Sequence, residues 1–453
     1  MKLVWKLLTR KEINNNKAIN DRKTGSESCP PQQDFLLKII PNTRDKQMGK
    51  IKLFLILFIS AFYFSCDNIS ESIENTDYKL KTENAKYIVK ENNKFAFDFF
   101  KEVASFETKS NYMVSPVSLS LALGMVYNGT NGETKTAFDQ VLNYNAPLLE
   151  VNQFNKNLIN KLSSNADGSV MEIANSIWIK KKFPVKKEFI NLNKDYYYAK
   201  VQNLDFNNPA AVVTINNWVS NKTHEKIPSI IDNISSREVL FLINVLYFNA
   251  NWKNRFNVKD THSDSFYKNE TETIQVEMMK IKEKIKYFQN ELFSSIILPY
   301  EKDKFSMVIL LPNEQKSTKD IISNLSAENW GNWLNNYNSE KITVTIPKFK
   351  LDYKNKLNAE LISIGLSIAF TDDADFNGIS DTQLLITSVL QKTFIDVNEK
   401  GTEAAAATSI GIGTTSIGIE PKSFYANKPF IYVIKENVTG SICFIGKVGE
   451  PKY

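Results

Sequence analysis

From Glu399 the chain reads EKGTEAAAATSIGIGTTSIGIEPKS, and no other stretch restricts the possible folds as strongly. Between Gly401 and Pro421 it has no Lys, Arg or aromatic residue, and only two acids, Glu403 and Glu420. Four of the chain's 16 glycines fall here: Gly401, Gly411, Gly413 and Gly418. Weakly charged segments of high β-propensity without proline pair readily with open strand edges, and soluble proteins avoid exposing them. The side chains are too small, and the glycines too frequent, for an ordinary core element. Alternate positions sort into two sets. Thr402, Ala404, Ala406, Thr408, Ile410 and Ile412 form one; Glu403, Ala405, Ala407, Ser409, Gly411 and Gly413 form the other. Strand side chains alternate between faces, so the first set suits burial and the second suits solvent. The plain alternative is a flexible Ala/Gly/Ser linker, which needs no period of two. The segment reads as an exposed strand without a sheet.

The beginning of the chain has a different character. Ile51 to Ser65 read IKLFLILFISAFYFS, with Lys50 before them and Cys66 after. A short positive head followed by an apolar run is the pattern of a secretory signal, and the run is shorter than a membrane span. Ser65 before Cys66 resembles a bacterial lipoprotein processing site, although Tyr63 and Phe64 are poor matches there. We therefore expect residues 1–47 to be an upstream extension, 48–65 a signal peptide, Cys66 a lipidation site, and 66–91 a polar tether to a domain at 92–453. Of the 56 Lys and Arg, 12 lie in residues 1–65, and of the 50 Asp and Glu, 5 do. The remaining 44 against 45 leave residues 66–453 at −1, so nothing suggests a nucleic-acid surface. Beyond Cys66 only Cys443 remains, which excludes a disulfide framework; the core must hold the fold.

Along the domain, Phe95, Phe99, Phe100, Val103 and Phe106 form an apolar stripe at helical spacing. SPVSLSLALGMVYNGT from Ser115 begins with an N-cap and a proline at the first helical position, and its all-round apolarity predicts a buried helix. SMVILLP, ITVTI and LLITSVLQKTFIDV read as strands, and FIYVI and SICFIGKV as a closing hairpin. No repeat or linker divides the domain, which reads as one large α+β unit.

Catalytic groups are not assembled by the sequence. His224-Glu225 begins the zinc-protease pattern His-Glu-x-x-His, but Pro228 occupies the second ligand's place. Gly-x-Ser-x-Gly and the phosphate-binding glycine motifs are absent. His224 and His262 read as surface or capping residues, since a nucleophile–base pair needs a partner at defined geometry, and Cys443 between Ile442 and Phe444 reads as a small core residue. We expect no enzyme activity, metal or cofactor.

Several motifs in order resemble one family, the serpins, from about Asn92 to Pro451. NYMVSPVSLSLALGMVYNGTNGET is similar to the family's early helix. INNWVSNKTHEKI resembles a segment usually carrying glycine where Glu225 stands, and INVLYFNANW one where Asn249-Ala250 replace Lys-Gly. IPKFKL, LNAELISIGLSIAFTDDADFNGIS, VNEKGTEAAAAT and ANKPFIYVIKENVTGSICFIGKVGEP follow in the family's order. The resemblance implies an α+β serpin fold: a large central sheet, two further sheets, about nine helices and an exposed reactive-centre loop, here about 399–423.

It also implies a function. The loop is bait for a serine protease, with cysteine proteases a second class, and once cut it inserts as a strand into the protein's own sheet. The hinge would be Glu399, Gly401, Thr402, Glu403, Ala404, Ala405, Ala406, Ala407 and Thr408. The reactive bond would be Thr415-Ser416. Ser115, Ser118, Asn244 and Gln391 would form a polar cluster where the sheet opens, with Trp252 near the insertion point; the family often has His where Gln391 stands. The alternative is a non-inhibitory member that acts as a binding or chaperone module; small hinge residues favour inhibition. The expected partner is a protease in a covalent complex, with a monomeric inhibitor outside the cell or in the envelope, held to a bacterial membrane only by lipid.

Overall fold

The structure is a computed structural model and describes residues 83–164, 169–402 and 422–453. Nine α-helices occur among these residues: α1 Glu83–Phe106, α2 Pro116–Tyr127, α3 Gly132–Leu142, α4 Leu148–Ser163, α5 Lys187–Tyr197, α6 Ala210–Lys222, α7 Thr318–Asn324, α8 Ala327–Leu334 and α9 Asn358–Leu361. Helix α1 buries Ile88, Val89, Phe95, Phe99, Phe100 and Val103 along one side, as its apolar spacing requires. It starts nine residues before the expected domain boundary. The end of the stretch assigned to the tether is therefore helical, because Ala85, Ile88 and Val89 supply the apolar face that its polar composition hid.

Helix α2 is almost wholly buried and starts where its sequence signals place it. Ser115 is the N-cap, its hydroxyl accepting from the Ser118 N–H, and Pro116 opens the first turn.

The strands, in chain order, are β1 Tyr112–Val114, β2 Val170–Lys180, β3 Lys200–Leu204, β4 Leu240–Asn251, β5 His262–Tyr267, β6 Thr273–Gln289, β7 Phe293–Pro299, β8 Phe305–Pro312, β9 Asn338–Pro347, β10 Phe349–Lys356, β11 Leu390–Asn398, β12 Gly401–Thr402, β13 Lys422–Tyr425, β14 Phe430–Glu436 and β15 Ile442–Val448. Six of them form the sheet β10-β11-β12-β4-β2-β3. The others follow the path β1-β15-β14-β8-β7-β6-β9-β13, with β5 beside β6. The two further sheets therefore meet in the long strand β6, which pairs first with β5, then with β9 and finally with β7. Strands β14 and β15 form the expected antiparallel hairpin.

The run LLITSVLQKTFIDV is only partly a strand, since β11 begins at Leu390. Before that point its backbone is claimed locally. Val389 N–H donates to Asn358 Oδ1 at 2.9 Å, and Asn358 Nδ2 donates to the Thr387 carbonyl at 3.0 Å. Ile386 N–H donates to the Ala369 carbonyl at 2.8 Å. β-Branched composition gives way here to side-chain and backbone partners from the neighbouring helix region.

Just beyond α6, His224 and Glu225 adopt φ of 49° and 64°. Glu225 N–H donates to the Ser220 carbonyl at 2.8 Å, closing the helix with left-handed backbone that glycine adopts without strain. Glu225→Gly is expected to raise stability by up to about 1 kcal/mol. A higher denaturant midpoint for unfolding checks this, and an unchanged or lower midpoint would refute it.

Candidate functional site: the slot between two strands

Strands β4 and β11 are neighbours in the six-stranded sheet, yet among the described residues no ladder joins them directly. The two residues of β12 stand between them. Gly401 pairs with Asn398 on one side and Asn251 on the other, and Thr402 with Val397 and Ala250. Over the rest of its length, β4 is paired among the described residues on its other edge only, with β2.

The expected exposed segment thus does not start in solvent. Glu399, Gly401 and Thr402 are buried, and the strand Gly401–Thr402 is already part of the sheet. Close packing explains why glycine stands first. A Cβ on Gly401 would lie 2.6 Å from Asn251 Cα and would strike the Ala250 carbonyl oxygen. Thr402 points inward, its hydroxyl 2.6 Å from the Tyr300 hydroxyl. Tyr300 in turn stacks on Trp252 at 4.5 Å between ring centroids, and burial raises its phenol pKa well above the usual range.

Trp252 closes the top of the slot. Its indole N–H donates to the Asn398 carbonyl at 2.9 Å, and its backbone N–H to the Lys400 carbonyl at 2.8 Å. Glu399 is the one carboxylate at this corner of the sheet that is both buried and part of the hinge. Lys348 Nζ lies 3.3 Å from its Oε1, and the Thr261 hydroxyl donates to the same oxygen at 2.9 Å. The Lys348 ammonium also sits 4.1 Å from the Tyr453 ring centroid. Removing one member of such a shielded pair typically costs ~3–5 kcal/mol, because the other charge is stranded.

Beneath the strands, the first turn of α2 touches both sides of the slot. Gln391 on β11 forms a two-point contact with Ser115: its Oε1 accepts from the Ser115 N–H at 2.9 Å, and its Nε2 donates to the Ser115 carbonyl at 3.0 Å. Ser118 donates to Asn244 Oδ1 on β4, and Asn244 Nδ2 donates to Asn175 Oδ1 on β2 at 2.6 Å. The Ser115 hydroxyl donates to the Cys443 carbonyl at 2.8 Å. An amide, unlike an imidazole, supplies both a donor and an acceptor at every ordinary pH.

Among the described residues no group of three or more His, Cys, Asp or Glu is placed to hold a metal ion. His224 is exposed, with Nε2 3.1 Å from Glu172 Oε1. Cys443 is fully buried, which pushes its thiol pKa far up and makes it a poor nucleophile.

A slot in a sheet, occupied at one end by the start of a small-residue segment, is an arrangement with known relatives. The profile of the family Serpin (serine protease inhibitor) matches residues 90–451. The chain belongs to the serpin family. It is 36% identical to a serpin-like protein of Methanosarcina acetivorans over 373 residues, covering 80% of this chain and 87% of that protein. It is 32% identical to human leukocyte elastase inhibitor over 374 residues, covering 80% of this chain and 98% of that protein. The crystal structure of native tengpin, a thermophilic serpin, superposes with a TM-score of 0.75 at 34% identity, covering 82% of this chain and 95% of tengpin. Serpins as a family inhibit proteases and are not themselves catalysts.

In this serpin the structure brings Ser115, Ser118, Asn244 and Gln391 together around α2, and sets Trp252 against the start of the hinge. Glu403, Ala404, Ala405, Ala406, Ala407, Thr408, Thr415, Ser416 and Cys66 lie outside the described residues. The expected loop also ends slightly early, because Lys422 opens strand β13. Sequence reading passed over Lys348, Tyr300 and Asn175. None of the three carried a signal: the cation nearest Glu399 in sequence is Lys400, and only the packed chain brings Lys348 to it.

Asn244→Ala removes the acceptor of Ser118 and the donor to Asn175. Two buried groups lose partners, at about 1–3 kcal/mol each. The variant should unfold or convert at lower temperature and form polymers on native gels. A monomer with unchanged thermal behaviour would show that the cluster does not hold the slot.

Proposed function

We propose that this serpin is a suicide-substrate inhibitor of serine proteases with elastase-like or subtilisin-like specificity. The observation that carries the reading is the seated hinge: Gly401 and Thr402 already pair with both β4 and β11, so the rest of the segment can follow between them by continuing the same ladder.

The chemistry is supplied by the protease. Its serine hydroxyl attacks the Thr415 carbonyl carbon, the Thr415-Ser416 amide breaks, and the amine of Ser416 departs with the proton taken from the hydroxyl. An ester joins Thr415 to the enzyme. Insertion of residues 403 onward then draws the enzyme away and distorts its site before water attacks the ester. The driving force is the new strand's hydrogen bonds and buried small side chains, so the uncut state is a kinetic trap.

Specificity follows from the bait composition. Acidic specificity pockets want Lys or Arg, and large apolar pockets want an aromatic residue; neither occurs between Gly401 and Pro421. A small β-branched Thr415 among Gly, Thr, Ser and Ile suits shallow pockets. The same reading makes the protein a monomer, carried across a membrane by residues 48–65 and held at a bacterial envelope through lipid on Cys66. A labelled fatty acid should enter the wild-type chain and not Cys66→Ala. Labelling of both, or of neither, would remove the anchor.

Thr402→Arg is expected to turn the inhibitor into a substrate, because Thr402 is buried with its hydroxyl 2.6 Å from that of Tyr300, and among the described residues no carboxylate bonds to it. Cleavage should continue while the SDS-stable complex falls at least ~10-fold, as expected for a buried unpaired cation. An unchanged yield of complex would sink insertion. With the wild-type protein, the fragment released from the complex should begin at Ser416, and efficient trypsin inhibition would refute the specificity reading.

A further inference from the structure

The outer face of β6 carries Lys280, Lys282, Lys284 and Lys286 at alternate positions, all exposed. On the opposite parity Ile285 and Tyr287 are buried, as are Ile342 and Val344 of β9, which pair with the exposed Glu283 and with Ile281. The parity of the strand therefore commits all four lysines to one surface, about 6.8 Å apart along the chain. Lys341 of β9 lies directly opposite Lys284 and is also exposed. Among the described residues none of the five makes an ion pair. The remaining cross-strand partners on this face, Ser339, Thr343 and Thr345, are uncharged, and Ser423 of β13 continues the row beside Thr343. At the Lys280 end, the Asp264 carboxylate is engaged by the Tyr425 hydroxyl and lies 3.5 Å from His262. Glu340 sits on the opposite parity, 3.4 Å from Lys422.

This is a local departure in a chain segment that is otherwise charge-balanced, with 44 basic against 45 acidic residues from 66 to 453. Lysines do guard open strand edges, and β6 has such an edge between its pairings with β5 and β7. That role leaves Lys341 unexplained. Like charges directly across a ladder destabilise it, so Lys284 and Lys341 oppose the fold that carries them. Spacings below the Debye length make the five fields add. The face also lies beside β13, whose first residue, Lys422, follows the bait stretch directly in sequence.

We propose that the lysine face of β6 and β9 is a docking surface for an acidic patch on the target protease, which it steers toward the bait. The proposal rests on the protease-inhibitor reading and narrows it: among proteases with shallow pockets, those with negative surface charge are captured fastest. A protease is favoured over a free polyanion because the lysines adjoin the strand that leaves the bait.

The test compares the full chain with a variant bearing Lys282→Gln, Lys284→Gln, Lys286→Gln and Lys341→Gln. Each is titrated against two subtilisin-type proteases, one of net negative and one of net positive charge, both inactivated at the catalytic serine. Reversible association is followed at low and high ionic strength. At low ionic strength the substitutions should slow association with the acidic protease about tenfold, leave association with the basic one no slower, and lose their effect in high salt. Should the fourfold variant misfold, Lys282→Gln with Lys286→Gln carries the same comparison with a smaller effect. Equal association of wild type and variant with the acidic protease would overturn the proposal. So would equal loss with both proteases, or lysine-dependent binding of dextran sulfate without any change in protease association. Inactive proteases cannot be acylated, so this outcome is independent of loop insertion. Charge-dependent binding without a covalent complex from the active enzymes would count against the suicide mechanism alone.

Discussion

The structure depends on a sheet whose two middle strands are kept apart. Among the described residues, strands β4 and β11 are bridged at one end by Gly401 and Thr402 alone, and the backbone groups between them are otherwise unpaired across the gap. Such an opening is costly unless something holds its sides. The first turn of α2 does so from below, through Ser118 to Asn244 and through Ser115 to Gln391. The N-cap that starts the helix is thus also the clamp on the sheet. A helix end is well suited to this, since its unpaired N–H groups must find partners in any case.

The upper end is held differently. Lys348 and Thr261 fix the Glu399 carboxylate, Trp252 binds the carbonyls of Asn398 and Lys400, and Gly401 passes where a Cβ would meet the neighbouring backbone. The hinge is therefore seated and tethered at once. Seating sets the register for any strand that follows, and tethering keeps it from following unprompted. These opposed requirements fit a buried ion pair, which adds little net stability when intact and costs much when one partner is removed.

Burial raises the pKa of Tyr300 beside Thr402, and that of Cys443 on β15, and leaves both neutral. The capacity to act lies in the difference between an open and a filled sheet, which is a property of backbone hydrogen bonding and side-chain size.

Much of this was legible in the chain itself. Local signals determined α2, with its Ser-Pro start, the β14–β15 hairpin, and the small-residue period that assigns Thr402 to an inward face. Each depends on neighbours in sequence, so periodicity and capping chemistry suffice. The start of α1 was misread because three apolar residues in a polar run are visible only as a face. The strand before Leu390 was misread because Asn358 and Ala369, remote in sequence, claim its backbone. Tertiary structure alone decided that Gly401 and Thr402 are seated and that Lys348 pairs with Glu399. It alone made Gln391 and Asn244 opposite walls of one slot. The physical reason is that these contacts join segments from tens of residues to well over a hundred residues apart. A residue's own sequence neighbours state which groups need partners; only the packed chain states which partners arrive.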